Sequence, residues 1–474
     1  MLFGQLIDRA LASGAGPRPA LVDASGSLSY AELDRAANRF AHLLAARGFG
    51  PGSRVAIRSD PCRSYGIIVL GAARAGVVLA HLSTRSTPAE TEAALTLTGA
   101  ALLPIEGASA PGFPETRPTL DLAPNAPLAI LFSGGTTGAA KGVLVGHQAR
   151  LVTAEISAAG FGLAATDRVL VSTPLFHTAA LFCWLAPAWS RGATVILGGK
   201  WSAESFAAQV AAHRVTAAFL VPTQISDLLA APAPDKLGSL RLVCHAGAPM
   251  RPDLTDRLAA LLPAIDIIEH YGLSETGLLT VRRAGDPADR RSSVGRAPAP
   301  VELAVRGPDG TVLAPGLVGE IVTRGPHLMS ALLGEDRAAA LFPWNDGWFA
   351  TGDRGYLDED GFLTLVARSK DIIVSGAENL YPSEIEAALG QHPALAECAV
   401  FGVPDDRLGE IPIAQVVLKP GMNASEAELI ELVLSILPRH KRPRRVIFAL
   451  SLPRSAVGKV LKSALAAAYL EGSR

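Results

Sequence analysis

Short runs of Val, Ile and Leu alternate with segments of helical period up to about residue 293 of this chain. Their length and composition predict buried strands at 54–57, 168–171, 193–197, 217–221 and 240–244. Ahead of the first run, Ser29 begins a typical helix, because it can cap the first turn, Glu32 follows three residues later, and apolar residues recur with a period of 3.6. This alternation predicts an α/β fold with parallel or mixed sheets.

The pattern changes after about residue 293. Gly, Pro and Asp turns there join strand-like runs at 301–305, 319–323 and 362–366. These runs indicate a β-rich subdomain at about 293–369, and Lys370 lies where the chain changes to an α+β segment, as a candidate hinge. We therefore expect a large N-terminal domain (1–369) of mixed α/β sheets that includes the β-rich subdomain, and a small mobile α+β C-terminal domain (370–474).

Charge and cysteine content exclude several classes of protein. The net charge of −1 in 474 residues argues against binding to nucleic acid or to a membrane surface. The four cysteines show no ligand spacing, so they predict neither a zinc site nor a disulfide framework and fit a cytoplasmic protein. No signal-peptide pattern is seen at the N-terminus. The longest apolar stretch, 66–82, contains Arg74 and is short for a membrane span, so we expect a buried helix.

In the stretch ILFSGGTTGAAKGVLVGH (130–147), a short apolar run is followed by a segment rich in Gly, Ser and Thr and then by Lys141. Glycines let backbone amides turn toward a phosphate, and the hydroxyls of Ser133, Thr136 and Thr137 add donors. The segment is not a Walker A loop, because no Gly-Lys-Ser/Thr follows at the required offset. Taken alone, it is either a phosphate-binding loop or a flexible hairpin tip.

The stretch HYGLSETG (270–277) brings three useful side chains together. Tyr271 can stack on a base, Ser274 can bind a phosphate oxygen, and Glu275 can hold Mg²⁺, which prefers oxygen ligands shared with substrate phosphates. A polar turn is the alternative interpretation.

Two further motifs lie toward the C-terminus. Asp353 in a TGD motif can hold a ribose diol with Arg368 nearby, unless it is simply a turn residue. Lys459 lies in a loop flanked by Pro and Gly, where a solvated surface lysine is the alternative.

Taken together and in this order, the motifs resemble those of the adenylate-forming superfamily of acyl-CoA synthetases, nonribosomal-peptide adenylation domains and luciferases. The order is the phosphate loop, YGLSETG, RGP (324–326), TGD, GAENLYP and PRSAVGK, and it extends from Ser133 to Lys459. Upstream, SYAELDRAANRFAHLLAARGFGPGSRVAI and AGVVLAHLSTRSTPAE resemble the N-terminal lobe of that family.

The resemblance implies a role for each matching residue. The β- and γ-phosphates of ATP are expected to contact Ser133, Gly134, Gly135, Thr136, Thr137, Gly138 and Lys141. Adenine and ribose are expected to contact Gly247, Ala248, Pro249, Tyr271, Asp353 and Arg368. Ser274 is expected to contact the α-phosphate and Glu275 to hold Mg²⁺, both as catalytic residues. Lys459 is expected to be the catalytic lysine that bridges the substrate carboxylate and the α-phosphate, and Lys370 is expected to be the hinge. Coenzyme A is expected to contact Gly376, Ala377, Glu378, Arg442 and Arg444.

The resemblance also implies an acyl pocket. His177 matches a common histidine of acyl ligases and is expected to be catalytic, with a hydrogen-bonded core histidine as the alternative. The walls of the pocket are expected to come from His177, Thr178, Leu181, Phe182, Phe219, Gln224 and Leu278. These side chains form a mainly apolar wall. The aspartate that would pair with the amine of an amino acid is absent, and a small dicarboxylate would need a cation where the chain has His270, although Arg282 and Arg283 follow. We therefore expect an aromatic or medium-chain monocarboxylic acid.

The expected activity is an ATP- and Mg²⁺-dependent carboxylic acid–CoA ligase that forms acyl-AMP and pyrophosphate and then acyl-CoA and AMP. One alternative is a ligase that loads the phosphopantetheine thiol of a carrier protein. A second is a catalytically inactive nucleotide-binding relic of the same fold. The expected partners are the acid, ATP and coenzyme A, with no nucleic acid and no membrane, and the expected assembly is a monomer or homodimer.

Overall fold

The computed structural model describes residues 1–133, 141–231, 234–248, 250, 252–283, 285–334, 346–368, 371–375, 378–454 and 460–472. The strands are β1 (Pro19–Asp23), β2 (Gly26–Ser29), β3 (Arg54–Arg58), β4 (Val78–Leu82), β5 (Ala101–Leu102), β6 (Pro127–Ser133), β7 (Lys141–Gly146), β8 (Arg168–Val171), β9 (Thr194–Leu197), β10 (Ala217–Leu220), β11 (Leu242–His245), β12 (Asp266–Leu273), β13 (Gly277–Arg282), β14 (Glu302–Arg306), β15 (Gly319–Arg324), β16 (Ala331–Leu333), β17 (Phe349–Leu357), β18 (Leu363–Arg368), β19 (Ile373–Ser375), β20 (Glu378–Leu380), β21 (Leu395–Asp405), β22 (Gly409–Leu418) and β23 (Arg445–Phe448).

The α-helices are α1 (Asp8–Ala10), α2 (Tyr30–Ala46), α3 (Arg63–Ala75), α4 (Pro88–Thr98), α5 (His147–Gly160), α6 (Thr178–Ala180), α7 (Ala186–Arg191), α8 (Ala203–His213), α9 (Pro222–Ala230), α10 (Pro252–Leu261), α11 (Pro382–Leu389), α12 (Glu426–Ile436) and α13 (Lys462–Gly472). Short 3₁₀-helices occur at Phe3–Gln5, Pro234–Lys236, Ala288–Arg290 and Arg439–Lys441, and π-helical turns occur at Leu11–Ala15 and Leu181–Leu185.

The strands of the described residues form four sheets. The largest has the order β13-β12-β11-β10-β8-β9-β1-β2, and a second has the order β16-β7-β6-β4-β3-β5. A four-stranded sheet has the order β14-β15-β17-β18, and the last has the order β20-β19-β22-β21 with β23 beside β22. Strands β8 to β12 run parallel to one another, whereas β12 and β13 pair antiparallel. The mixed α/β fold and the additional β-rich sheet predicted from the sequence are confirmed.

The chain divides into two compact units. Unit 1 comprises Met1–Leu303 and Thr323–Phe349, and unit 2 comprises Ala304–Val322 and Ala350–Arg474. Unit 2 thus groups part of the β-rich segment with the C-terminal segment. The predicted domain boundary at 369/370 stays a prediction, and the hinge candidate Lys370 lies outside the described residues.

Local sequence signals explain how several elements begin and end. Ser29 caps α2: its hydroxyl oxygen accepts from the amide of Glu32 (3.2 Å), and the Glu32 carboxylate accepts from the amide of Ser29 (2.7 Å). The apolar stretch 66–82 is buried as predicted but is not one helix. Gly76 adopts a left-handed conformation (φ +67°) that ends α3, and the rest of the stretch forms β4. In the described part of the chain, no helix is both long enough and apolar enough to cross a membrane.

Candidate active site

The Gly-, Ser- and Thr-rich segment joins two antiparallel strands. β6 ends at Ser133 and β7 begins at Lys141, and these two residues are paired in the register. The predicted phosphate-binding residues Gly134, Gly135, Thr136, Thr137 and Gly138 lie outside the described residues. The strands therefore bring the two ends of the segment side by side, and its contacts with phosphate stay predictions.

The YGLSETG motif forms the tight hairpin between β12 and β13. Tyr271 pairs with Thr280, and a bulge follows between Tyr271 and Gly272. A Cβ atom on Gly272 would lie 1.8 Å from the carbonyl oxygen of Gly277, so no side chain fits there. Gly277 has a φ of +70°, in the left-handed region that favours glycine. The turn thus requires both of its flanking glycines.

Hydrogen bonds fix the backbone of this turn. The amide of Leu273 donates to Thr276 Oγ1 (3.0 Å), and the amide of Thr276 donates to the carbonyl of Leu273 (3.2 Å). The carbonyl of Glu275 accepts from the amide of Met329 (2.7 Å). Ser274 and Glu275 remain partly exposed. A hydroxyl and a carboxylate on a fixed turn fit the oxygen ligands that Mg²⁺ shares with substrate phosphates.

A further contact to the turn comes from a residue that the sequence analysis missed. Arg150 on α5 is fully buried, and its Nη2 donates to the carbonyl of Ser274 (2.8 Å). Its Nη1 donates to Thr153 Oγ1 (3.4 Å), and its guanidinium carbon lies 5.6 Å from the ring centroid of Phe182. Burial lowers the pKa of Arg150 to about 10, so it is still charged at neutral pH.

One sequence signal could have indicated Arg150. The buried positions of α5 include Arg150, Thr153, Ala154, Ser157 and Ala158, which recur at helical spacing. An arginine on the buried face of a helix is uncommon, because a buried charge needs compensating contacts.

The predicted adenine contacts lie at the carboxyl ends of neighbouring parallel strands. β11 ends at His245, which pairs with Glu269 of β12. Gly247 (φ +89°) and Ala248 follow β11 and are exposed, and Tyr271 lies further along β12, mostly buried. Pro249 lies outside the described residues. Carboxyl ends of parallel strands form the usual ligand crevice of α/β folds, so this arrangement fits a bound nucleotide.

The TGD motif lies on β17, in unit 2. Asp353 is mostly buried and pairs in the register with Arg368 of β18. The hydroxyl of Thr351 donates to the carbonyl of Ile321 (2.8 Å) and accepts from the amide of Asp353 (3.1 Å). The three residues of the motif lie within β17 and not in a turn, and the contacts of Asp353 and Arg368 with ribose stay predictions.

The predicted coenzyme A contacts also belong to unit 2. Glu378 begins β20, whereas Gly376, Ala377 and the catalytic candidate Lys459 lie outside the described residues.

The basic run around residues 439–445 divides into paired and unpaired side chains. Lys441 pairs with Glu384 (2.6 Å) and Arg445 with Glu426 (3.4 Å). Within the described ranges, the side chains of the predicted coenzyme A contacts Arg442 and Arg444 form neither ion pairs nor hydrogen bonds.

Most predicted acyl-pocket residues lie in the interior of unit 1. His177 precedes α6, which begins at Thr178, and its ring lies 4.3 Å from that of Phe176. Leu181, Phe182, Phe219 and Leu278 are all buried, and Phe219 packs 6.1 Å from Trp184 of the Leu181–Leu185 turn. The remaining candidate, Gln224, accepts from the amide of Val221 and donates to the carbonyl of Ser172, so its side chain is used locally.

The three residues considered as a cation for this pocket are either neutral or already bonded to other groups. His270 stacks between Phe161 (5.4 Å) and Phe219 (5.8 Å), and burial lowers its pKa to about 3, so it is neutral. Arg282 pairs with Glu269 (2.8 Å), and Arg283 donates to the carbonyl of Ala159 (2.8 Å). Among the described residues, Arg150 is a buried cation that contacts a predicted pocket residue, through the ring of Phe182.

Comparisons with known proteins match almost the whole chain. The family model described as AMP-binding enzyme matches residues 9–111 and 103–333, and the model for the AMP-binding enzyme C-terminal domain matches 384–459. The indoleacetate–CoA ligase of Aromatoleum aromaticum is 36% identical over 365 residues, which cover 76% of this chain and 70% of the relative. A feruloyl-CoA synthase of Amycolatopsis sp. is 33% identical over 459 residues, which cover 92% and 93%. The crystal structure of ATP-bound MatB from Rhodopseudomonas palustris superposes with a TM-score of 0.90 at 28% identity, covering 100% of both chains.

Proposed function

The chain belongs to the AMP-binding enzyme family, and we propose that it is an ATP-dependent ligase that activates a carboxylic acid as acyl-AMP and transfers it to coenzyme A. In the first step, a carboxylate oxygen attacks the α-phosphorus and pyrophosphate leaves. In the second, the thiolate attacks the acyl carbon and AMP leaves. The observation that carries the proposal is the rigid turn at 273–277, which presents Ser274 and Glu275 beside the carboxyl ends of parallel strands.

Charge neutralisation is the central demand of the first step, because a carboxylate must approach a polyanionic phosphate. Preorganised positive charge and hydrogen-bond donors are usually the largest contribution to such catalysis. Glu275 would hold Mg²⁺, which supplies charge to the phosphates. Ser274 would donate to the α-phosphate, and Lys459 would bridge the acid and the α-phosphate. His177 would lie close to the reacting acid.

We infer the rest of the nucleotide site from the same resemblance. Phosphate would be bound by the segment between Ser133 and Lys141, adenine by residues 247–249 and Tyr271, and ribose by Asp353 with Arg368. The pairing of Ser133 with Lys141 and of Asp353 with Arg368 supports this assignment.

Acyl-AMP is a reactive anhydride, so water must be excluded until the thiol arrives. A rotation of the C-terminal domain about Lys370 would withdraw Lys459 and bring the loop with Gly376, Ala377 and Glu378 toward the thiol.

The acid is proposed to be an apolar aromatic or medium-chain monocarboxylate. Neutral, stacked His270 and the engaged side chains of Arg282 and Arg283 leave these three residues poorly suited to a second carboxylate on the substrate. Buried Phe182, Phe219 and Leu278 suit an apolar acyl group. The names of the relatives, which act on indoleacetate and on a feruloyl group, agree with an aromatic acid.

Coenzyme A is the proposed acceptor, because Arg442 and Arg444, like Arg439, form no ion pair with a described residue in a run whose Lys441 and Arg445 are paired. A carrier-protein thiol is the alternative acceptor. We further propose a cytoplasmic location, which is supported by the lack of a disulfide at Cys62, Cys183, Cys244 and Cys398 in the described part of the chain.

Pyrophosphate release with a panel of aromatic and fatty acids tests the proposal. We expect release that needs Mg-ATP and an acid, and thioester that appears when coenzyme A is added. Adenylate trapped by hydroxylamine without any coenzyme A product would favour the carrier-protein ligase. No release or exchange with any acid would favour the inactive relic.

A further inference from the structure

Two elements proposed to bind ATP are tied to each other within unit 1. β7 begins at Lys141, at the end of the phosphate-binding segment, and continues directly into α5, which carries Arg150. Arg150 then reaches the carbonyl of Ser274, 124 residues away in sequence. The phosphate-binding hairpin and the Ser274–Glu275 turn are thereby connected through one side chain.

A second connection runs in parallel through consecutive backbone amides. Met329 donates to the carbonyl of Glu275, and Ser330 donates to the carbonyl of Leu144 on β7, each at 2.7 Å. The carbonyls of both Ser274 and Glu275 are therefore fixed, one by a side chain and the other by the backbone. This contact of Arg150 is the one that a substitution can remove.

The surroundings of Arg150 suit a tether better than a ligand site. Its guanidinium is fully buried, and a Cβ atom on Gly277 would lie 2.6 Å from Nη1, so the turn is closed directly over it. Its hydrogen bonds go to a carbonyl and a hydroxyl, and Phe182 lies below the cation. Burial and the Arg150 charge lower the pKa of His327 to about 4, so at neutral pH that histidine adds no positive charge.

The cost of burying this charge indicates what it does. A well-packed apolar side chain in the same volume avoids the desolvation penalty of an ion, so packing alone does not explain an arginine. A guanidinium can donate to a backbone carbonyl, which an apolar side chain cannot do.

We propose that Arg150 is a positioning residue, which holds the Ser274–Glu275 turn in register with the phosphate-binding hairpin so that Mg-ATP meets an assembled site. This inference rests on the proposed function. It concerns alignment for the adenylation step and leaves the choice of acid to other residues.

The test compares Arg150→Met, which keeps the length and apolar stem, with Arg150→Lys, which keeps the charge. For Arg150→Met we expect kcat for pyrophosphate release to fall at least tenfold, by the same factor for every acid that the wild type uses. KM for the acid and thioester formation from supplied acyl-AMP should change less than threefold. Arg150→Lys should recover part of kcat.

Arg74→Met is the matched control, because Arg74 is also buried and also donates to a backbone carbonyl, that of Gly4 (3.0 Å), while pairing with Asp34 (2.7 Å). We expect this variant to lower the thermal midpoint without a selective loss of adenylation. A loss that varies with the acid, or a rise in acid KM at constant kcat, would assign Arg150 to the acyl pocket and overturn the proposal.

Hydrogen exchange gives a readout that does not depend on turnover. The amides of Leu273 and Thr276 are bonded within the turn, so a peptide covering 266–282 should exchange faster in Arg150→Met and unchanged in Arg74→Met. Unaltered exchange in folded Arg150→Met would refute the tether even if the wild type released no pyrophosphate. If Arg150→Met does not fold, the same comparison is made with Arg150→Lys, in which the peptide 266–282 should exchange at an intermediate rate. Wild-type exchange together with wild-type kcat in Arg150→Lys would then overturn the proposal.

Discussion

Lysine is scarce in this chain, so the position of each lysine is informative. Of the 43 basic residues, 8 are lysines, and they include Lys141, Lys370 and Lys459. A lysine ammonium is a compact and mobile point charge, whereas the guanidinium of arginine is planar and more rigid in its bonding. A catalytic group that must enter and leave the site between two steps suits lysine.

Lys459→Ala should therefore abolish most of the first half-reaction. We expect pyrophosphate release to fall at least about 100-fold, as for the loss of one preorganised charge at a reacting group. Thioester formation from supplied acyl-AMP should be largely retained. Equal loss of both steps would contradict the assigned role.

Lys462→Ala provides the control for this experiment, because Lys462 lies nearby in sequence and pairs with Glu386 at 2.7 Å. Its side chain belongs to an ion pair within unit 2. Both half-reactions should stay within about threefold of the wild type, since partly exposed ion pairs contribute little.

The hairpin of β12 and β13 requires glycine at position 277. Gly277→Ala would place a Cβ atom 2.5 Å from Thr153 Oγ1 at a φ of +70°. We expect a lower thermal midpoint than for Gly162→Ala, where φ is +60° and nothing lies within 4 Å. Gly162→Ala should cost about 1–2 kcal/mol from backbone strain alone.

Activity separates the same pair of variants. Gly277→Ala should also lose pyrophosphate release, because the turn that presents Ser274 and Glu275 must shift. Gly162→Ala should keep the wild-type rate at temperatures where it is folded. Full activity of Gly277→Ala would count against the role of the turn.

The basic run beside β23 is the element proposed for the coenzyme A nucleotide. A double variant, Arg442→Ala with Arg444→Ala, should raise KM for coenzyme A about tenfold or more, with a smaller effect at high salt, because phosphate contacts are screened. Acyl-AMP formation should not change. Arg445→Ala, which removes a side chain already paired with Glu426, is the control and should leave that KM within about twofold. An unchanged KM in the double variant would contradict the assignment of Arg442 and Arg444 to the coenzyme A nucleotide.

On the scale of the whole molecule, the proposed rotation of the C-terminal domain would give each half-reaction its own arrangement of the chain. Proline fixes φ and lacks the amide hydrogen, so Lys370→Pro should hinder rotation about the proposed hinge. We expect acyl-AMP to form near the wild-type rate and thioester to form at least about tenfold more slowly, as for other gating residues. Lys370→Ala separates the hinge from the side chain and should keep both steps. Normal overall turnover of the proline variant would argue against the hinge.

Buried histidines link the stability of the molecule to pH. Burial lowers the pKa of His81, His245 and His270 to about 3, against 6.5 in an exposed histidine. Below pH 6.5 the unfolded chain binds more protons than the folded chain, so stability falls as the pH is lowered toward 3, by roughly 1 kcal/mol per pH unit for each histidine.

The thermal midpoint should therefore be lower at pH 5 than at pH 7.5. His270→Phe should keep the stacking with Phe161 and Phe219 and reduce the difference between the two pH values. An equal difference in the variant and the wild type would show that His270 does not contribute.

The sequence alone predicts the alternation of strands and helices, the capping of α2 by Ser29 and Glu32, and the turn glycines of YGLSETG. These features could be predicted because periodicity, caps and turn conformation depend on a few neighbouring residues. Such signals identify motifs and their order. They do not tell which side chains meet across the fold.

The contacts of Arg150 and Met329 and the environment of His270 are features that such local signals do not predict. The contact from Arg150 to Ser274 joins residues 124 apart, and it exists because α5 and the β12–β13 hairpin pack together. The neutrality of His270 likewise follows from its burial between two rings, which no local pattern contains. Burial and long-range contacts depend on the order in which the strands pair in the sheets. Only tertiary packing therefore determined which side chains meet around the candidate site.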